Sequence, residues 1–280
     1  MSQLTVNLIG AGRVGQTFLS LLGGVRECVV QDVQSNSYFS AERAVQFAGA
    51  GRAVRDVSEL RPADLWIVAV PDTRIAEVAE RLVEHVAASE IGQEPPVAFH
   101  CSGFFAAEQM SALRKSGWHL ASVHPVLTFA TPELAVRQFN GTYCGVEGDA
   151  EALELIGPLL KKLGAKPFSI SSKSKSLYHA AAVISNNFTV VLQAIAREAW
   201  AEAGVPEDVA QQLNVTMLRA TYENVSAEGP RNALTGPAAR GDDFVVRKQG
   251  EDVTNWKPEV GEIYRELSVL ARKLKTDGRI

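Results

Sequence analysis

Short runs of apolar residues, each cut off by glycine, proline or a small polar residue, organise the first part of the chain. Leu4–Ile9, Glu27–Val33, Asp64–Val70, Pro96–Cys101, Trp118–Val123, Thr142–Val146 and Lys166–Ile170 read as strands, several of them apolar enough to be buried on both faces. Between them, apolar residues recur at helical spacing. Val14, Phe18, Leu19 and Leu22 form one such stripe, and Ser40–Phe47, Thr73–Val86, Phe105–Leu113 and Ala150–Leu163 carry others. Strand–helix alternation predicts an α/β fold with an open, largely parallel sheet. Beyond the polar run SISSKSKS the pattern changes. One long helix is expected over 175–203, stopped by Gly204-Val205-Pro206, then a second over 207–228 and a third over 263–274. The expected organisation is an α/β domain over 1–170 and an all-helical domain over 171–280, with the boundary near Ser171.

A chain of 280 residues suffices for two modest cores. The net charge of −4 and the lack of a basic run argue against nucleic acid. No apolar stretch reads as long enough to span a bilayer, and the chain start leads into a core strand rather than a signal peptide. Cys28, Cys101 and Cys144 are scattered and show no CxxC spacing, so neither a disulfide framework nor a zinc ribbon is expected. These features predict a reduced, cytoplasmic protein. The N-x-S/T triplets at Asn140, Asn187, Asn214 and Asn224 are then chance matches.

The first strand runs into Gly-x-Gly-x-x-Gly, residues 10–15. Gly10 permits a tight turn, Gly12 leaves room for a pyrophosphate against the backbone, and Gly15 lets the following helix approach the strand. Ala11, Arg13 and Val14 complete a loop whose helix N-terminus favours an anion. Val70, Pro71 and Asp72 end another strand and would shape the wall beside the bound dinucleotide. The end of the second strand decides the nucleotide. If it stops at Gln31, Asp32 binds the ribose of NAD; if at Gln34, then Ser35, Asn36 and Ser37 suit the phosphate of NADP. The balance favours NADP, with NAD the alternative. Arg13 and Arg43 would add positive charge, or lie on the solvated surface.

A second group of candidates sits at other strand ends and on the long helix. Ser102 and Gly103 offer a hydroxyl and backbone N–H groups to a carbonyl or carboxylate, although Ser102 also reads as a plain helix cap. His124 is either a ligand contact or a structural histidine. The helical run YHAAAVISNNFTVVLQAIA is apolar nearly all round and should be buried. Within it His179 and Asn186, two helical turns apart, share a face beside Asn187. Buried amides need partners, supplied either by a ligand or by neighbouring helices. In LTGPAARGD, expected to be a turn-rich loop, Arg240 is a natural clamp for an anionic group, unless Asp242 pairs it. A metal site from His100, Cys101, His124 and Cys144 lacks ligand spacing and reads as core.

The stretches IGAGRVG, AVPD, HCSG, SVHPVLTF, LYHAAAVISNN and LTGPAARGD resemble a bacterial Rossmann-like family catalogued as domain of unknown function 2520. The resemblance implies a branch of the 6-phosphogluconate dehydrogenase-like reductases, whose relatives include ketopantoate reductase, pyrroline-5-carboxylate reductase and 3-hydroxyisobutyrate dehydrogenase. It implies NAD(P) binding in the first domain and a helical second domain that often dimerises. The hydroxyacid dehydrogenases of that group place a catalytic lysine on the first long helix and an asparagine one turn later. Here His179 stands near the lysine's place, with Asn186 and Asn187 as the nearest asparagines.

Together these features predict an NAD(P)-dependent oxidoreductase acting on a small carbonyl or hydroxy compound. His179 and Asn186 are the catalytic candidates. Ser102, Gly103, His124, Asn187 and Arg240 are the substrate contacts, and a homodimer is expected. The competing expectation is a non-catalytic dinucleotide-binding sensor.

Overall fold

The computed structural model describes residues 3–86 and 95–280. The strands are β1 Leu4–Ile9, β2 Cys28–Gln34, β3 Arg52–Val54, β4 Leu65–Val68, β5 Val97–His100, β6 His119–Pro125, β7 Tyr143–Gly148 and β8 Lys166–Ser169. They form one eight-stranded sheet in the order β3-β2-β1-β4-β5-β6-β7-β8. All neighbours pair in parallel except β6 and β7. The chain winds outward in both directions from the β1–β4 pair, so the strand order reverses there. In open α/β sheets the crevice beyond the carboxyl ends of such strands is where ligands bind.

The helices packed with this sheet are α1 Arg13–Gly23, α2 Tyr38–Ala48, α3 Ile75–Val86, α4 Pro132–Gln138 and α5 Ala150–Lys162. Side chains alternate across each strand, and two separate cores result. Val6, Leu8, Leu65, Ile67, Val97, Phe99, Ala121 and Val123 face one side, against Phe18, Leu19, Leu22 and Phe139. Phe18 meets Phe99 and Phe139 edge to face, with ring centroids 5.7 Å apart in both pairs. Ile9, Trp66, Val68, Ala98 and Leu120 face the other side, against Ile75, Leu82, Met110 and Leu113. The expected helix over 105–113 is a 3-10 segment, Ala107–Ser116, with a break at Met110.

The remaining helices are α6 Lys175–Val183, α7 Thr189–Glu202, α8 Glu207–Ala233, α9 Pro237–Arg240, α10 Asp243–Trp256 and α11 Pro258–Asp277. The chain divides into two compact units, 1–183 and 184–280, and the boundary expected near Ser171 falls inside the first. Four expectations are corrected. The single helix over 175–203 is interrupted by a π-helical turn, Ile184–Phe188. The loop expected over 234–242 contains the helical turn α9, started by Pro237 at its first position, and α10 follows unanticipated. The apolar helical run Ser172–Glu202, with a mean hydropathy of 1.2, is long and apolar enough to cross a membrane by length and composition. It was also expected to be buried, yet no residue of α7 is buried within this single chain.

Candidate functional site

The glycine loop lies at the carboxyl end of β1, beside the strand-order reversal. Gly10 has φ +99°, and a Cβ there would collide with the Ala69 carbonyl, so turn and packing both require glycine. A Cβ on Gly15 would collide with the Gly10 carbonyl, which is how closely α1 sits on the loop. Gly12 differs: a Cβ would meet nothing within 4 Å, and the residue is exposed. Gly12 is the N-cap of α1, no side chain caps that end, and the first turn holds no acidic residue. The backbone N–H groups and the positive end of the helix therefore face an open space. This is the environment an anionic diphosphate needs, so the residues present fit a dinucleotide. Arg13 is exposed nearby, its guanidinium 3.4 Å from the Phe129 carbonyl. Val14 is half-buried, and Val70 stands against the turn at Gly10.

The second strand ends at Gln34, which decides between the two readings of its end. Asp32 lies inside the sheet, fully buried, and bonds Arg52 at 2.8 Å and Arg61 at 2.9 Å. Burial alone would raise its pKa, but the hydrogen bonds from Arg61 and Arg52 outweigh it and hold the carboxyl below the usual range. Asp32 is thus committed to the sheet edge. The Ala11 N–H donates to Ser35 Oγ at 3.2 Å, Asn36 is exposed, and Ser37 caps α2 by accepting from the Ser40 N–H. Arg43 stacks over Phe39.

The second cluster joins the ends of β4, β5 and β6 to β7 and α6. After β4, Pro71 precedes a 3-10 turn, Asp72–Arg74. Ser102, just past β5, donates to Asp72 at 2.9 Å and accepts from the Phe104 and Phe105 N–H groups, so its hydroxyl caps the following turn. His100 Nδ1 accepts from the Ser102 N–H, so Nε2 carries the proton and donates to the Ala106 carbonyl at 2.9 Å. Burial pushes the His100 pKa down to about 4.

Ser122 and His124 lie two apart on β6 and share a face. The antiparallel register sets Glu147 opposite Ser122 and Gly145 opposite His124. From α6, the fully buried Lys175 donates to the Ser102 carbonyl at 2.9 Å and to the Ser122 hydroxyl, and stands 3.9 Å from Glu147. Burial pushes its ammonium down to about 8, against the opposing pull of Glu147 and Asp72. One turn later, the Tyr178 hydroxyl pairs with His124 Nδ1 at 2.8 Å, and burial raises the phenol to about 12. The His124 pKa falls to about 4, chiefly through burial and then through His179 and Lys175. The rings of His124 and His179 meet at right angles, centroids 5.5 Å apart. Both crowd Gly103, where a Cβ would collide with His179 Nδ1 and His124 Nε2. His179 Nδ1 is buried and has no hydrogen-bond partner among the described residues.

The structure therefore gathers Asp72, Ser102, Gly103, His124 and His179 in one cluster. Other candidates lie in the second unit. Asn186 and Asn187 are exposed in the π turn, which breaks the helical period behind the shared-face expectation. Arg240 is exposed and paired with Asp242 at 3.0 Å, the alternative weighed for it. Sequence reasoning missed Lys175, Glu147, Ser122 and Tyr178. Lys175 stands one helical turn before His179 on α6. It was masked by a serine-rich run that reads as exposed.

Residues 1–125 match the profile of a Rossmann-like domain, and residues 142–270 that of a domain of unknown function, DUF2520. No curated protein matches the chain. Among solved structures, protein TM1727 from Thermotoga maritima is 28% identical, with 98% of this chain and 100% of that chain covered at a TM-score of 0.76. An imine reductase from Myxococcus stipitatus in complex with NADP+ is 16% identical over 98% and 95% of the two chains, at 0.66. The 1-pyrroline-5-carboxylate reductase of Streptococcus pyogenes is 13% identical over 97% and 99%, at 0.64. The last two share the fold. The two matches follow one another along the chain and leave residues 126–141 between them.

Proposed function

We propose that this chain is an NAD(P)-dependent oxidoreductase of small carbonyl or hydroxy compounds, with NADP the favoured cofactor. The observation that carries the reading is the uncapped N-terminus of α1, opening over the bare face of Gly12 at the point where the strand order reverses. Gly10, Ala11, Gly12, Arg13, Val14 and Gly15 would hold the diphosphate. Ser35 and Asn36, rather than Asp32, would meet the adenosine ribose and its phosphate. The fold shared with an imine reductase in complex with NADP+ supports the same cofactor. The three cysteines are free thiols, in keeping with a reducing, cytoplasmic setting.

The nicotinamide would supply or accept the hydride. The chain's own groups manage charge and proton. Lys175, as an ammonium, stabilises negative charge building on a substrate oxygen. His179, whose Nδ1 has no partner among the described residues, exchanges the proton with that oxygen. Gly103, lacking a Cβ, lets both imidazoles pack against its backbone. Tyr178 holds His124 in place, and Ser102 and Asp72 fix the loop. A second reading, a dinucleotide sensor without turnover, has one observation in its favour: Lys175 spends its contacts on Ser102, Ser122 and Glu147 inside the protein.

Calorimetric titration with NADPH and NADH tests the cofactor assignment. NADPH is expected to bind more tightly. Gly12→Ala should weaken binding about tenfold or more, because the added methyl occupies the open space through which a diphosphate approaches the backbone. Affinity for both nucleotides unchanged in the variant would remove the assignment. Tight binding with no turnover across a screen of small keto and hydroxy acids would favour the sensor.

A further inference from the structure

Glu147 is a buried carboxylate with two hydrogen-bonding tasks. One oxygen accepts the Ala107 N–H at 2.7 Å, at the start of the 3-10 segment, and the other accepts the Ser172 hydroxyl. A glutamine could perform both tasks with its carbonyl oxygen and amide group. What the carboxylate adds is a negative charge in a site where burying one is costly. The buried cation facing that charge is Lys175, 3.9 Å away. The register of β6 and β7 places the carboxylate beside Ser122, which receives the same ammonium.

We propose that Glu147 is a positioning residue that keeps Lys175 in its ammonium form, aimed at the Ser102 carbonyl and the Ser122 hydroxyl. The functional consequence rests on the oxidoreductase reading: held as an ammonium, Lys175 fixes the Ser102 carbonyl and the Ser122 hydroxyl beside Gly103 and His124, so the pair orders the wall on which a substrate would lie. Other charged and titratable groups around Lys175 act less directly. Asp72 lies behind the Ser102 hydroxyl. Burial keeps His100 and His124 neutral at neutral pH, and keeps the Cys101 thiol protonated. Tyr178 is protonated and turned to His124, and His179 faces Gly103.

The test reads the ionisation of Lys175 directly, in the full-length protein, by nitrogen NMR of Nζ-labelled lysine, with Lys175→Arg identifying the signal. Glu147→Gln should lower the midpoint by about one to three pH units, a tenfold or larger loss of proton affinity. Asp72→Asn should move it less, and Glu147→Asp should restore most of the wild-type value. Buried Trp66 and Trp118 report whether each variant is folded. Should Glu147→Gln fail to fold, the carboxyl carbon signal of Glu147 in the unaltered protein should show an inflection at the Lys175 midpoint. A midpoint unmoved by Glu147→Gln, or a Glu147 signal blind to Lys175, would overturn the inference. With a substrate in hand, the basic limb of kcat/KM should move by the same amount. A shifted midpoint without any turnover sinks the oxidoreductase reading and leaves the pair standing; turnover with an unmoved midpoint does the reverse.

Discussion

His179 carries the most direct test of the proposed proton transfer. Its Nδ1 is buried without a partner among the described residues, which is costly unless a ligand completes it. Once a substrate is known, His179→Ala should lower turnover by about 10²–10⁴-fold, the usual range for a general acid or base, with NADPH affinity nearly intact. Retention of more than about a tenth of the activity would pass the role to Lys175 or His124. The neighbouring histidines carry a different consequence. His100 and His124 have pKa values near 4 in the folded chain against an ordinary 6.5. Between those values the unfolded chain binds the extra protons, so stability falls as pH drops from 6.5 towards 4. Each histidine accounts for roughly 2 kcal/mol between pH 6.5 and 5. Urea unfolding followed by the fluorescence of Trp66 and Trp118 should show this slope, and His100→Gln should lose about half of it. A flat profile between pH 7 and 5 would contradict the burial of both rings as neutral groups.

At the scale of elements, the first strand, the glycine loop and α1 form a unit whose glycines serve separable purposes. Gly15→Ala should cost roughly 1–3 kcal/mol, because a methyl group driven into the Gly10 carbonyl forces α1 off the loop. Gly12→Ala should stay within about 1 kcal/mol, its φ of −72° suiting alanine. If urea midpoints of the two variants coincide, the assignment of one glycine to packing and the other to the ligand is wrong. This unit was legible in sequence because glycine spacing and helical period are local signals. The same holds for the strand–helix alternation up to β8, whose runs are apolar enough to mark burial on both faces. The end of β2 was legible only as two alternatives, since the pairing of Asp32 with Arg52 and Arg61 depends on neighbouring strands. Glu147 and Lys175 were invisible for the same reason: a charged residue reads as exposed until the partner that buries it is known. The expected shared face of His179 and Asn186 depended on helical regularity. A seven-residue spacing implies one face only while the turn is α-helical, and the π turn at Ile184–Phe188 ends that regularity.

The whole molecule is divided unevenly between its two units. The first has a core on each face of its sheet. In the second, Ala210 and Gly261 are the only residues that are buried. A folded unit of that length ordinarily buries more than half of the surface of its unfolded chain, and large apolar patches are rare on monomers. Here Val190, Val191, Met217 and Tyr222 are between 51% and 71% exposed, on α7 and α8. The apolar residues of α7, Val190, Val191 and Leu192 among them, are exposed within the chain, which argues that other side chains cover them. A lipid surface would accept the apolar faces, but α8 and α11 also carry many charges, which suit contact with protein and water better. We therefore expect a homodimer in which the helical units cover one another. Light scattering at micromolar concentration should give twice the 30.2 kDa mass of one chain. Val190→Glu combined with Val191→Glu should produce monomers whose helical unit no longer melts cooperatively, while the Trp66 and Trp118 signal of the first unit persists. A monomeric wild-type mass with cooperative melting of both units would mean that the helical unit is stable with its apolar residues in water, and the dimer would have to be abandoned.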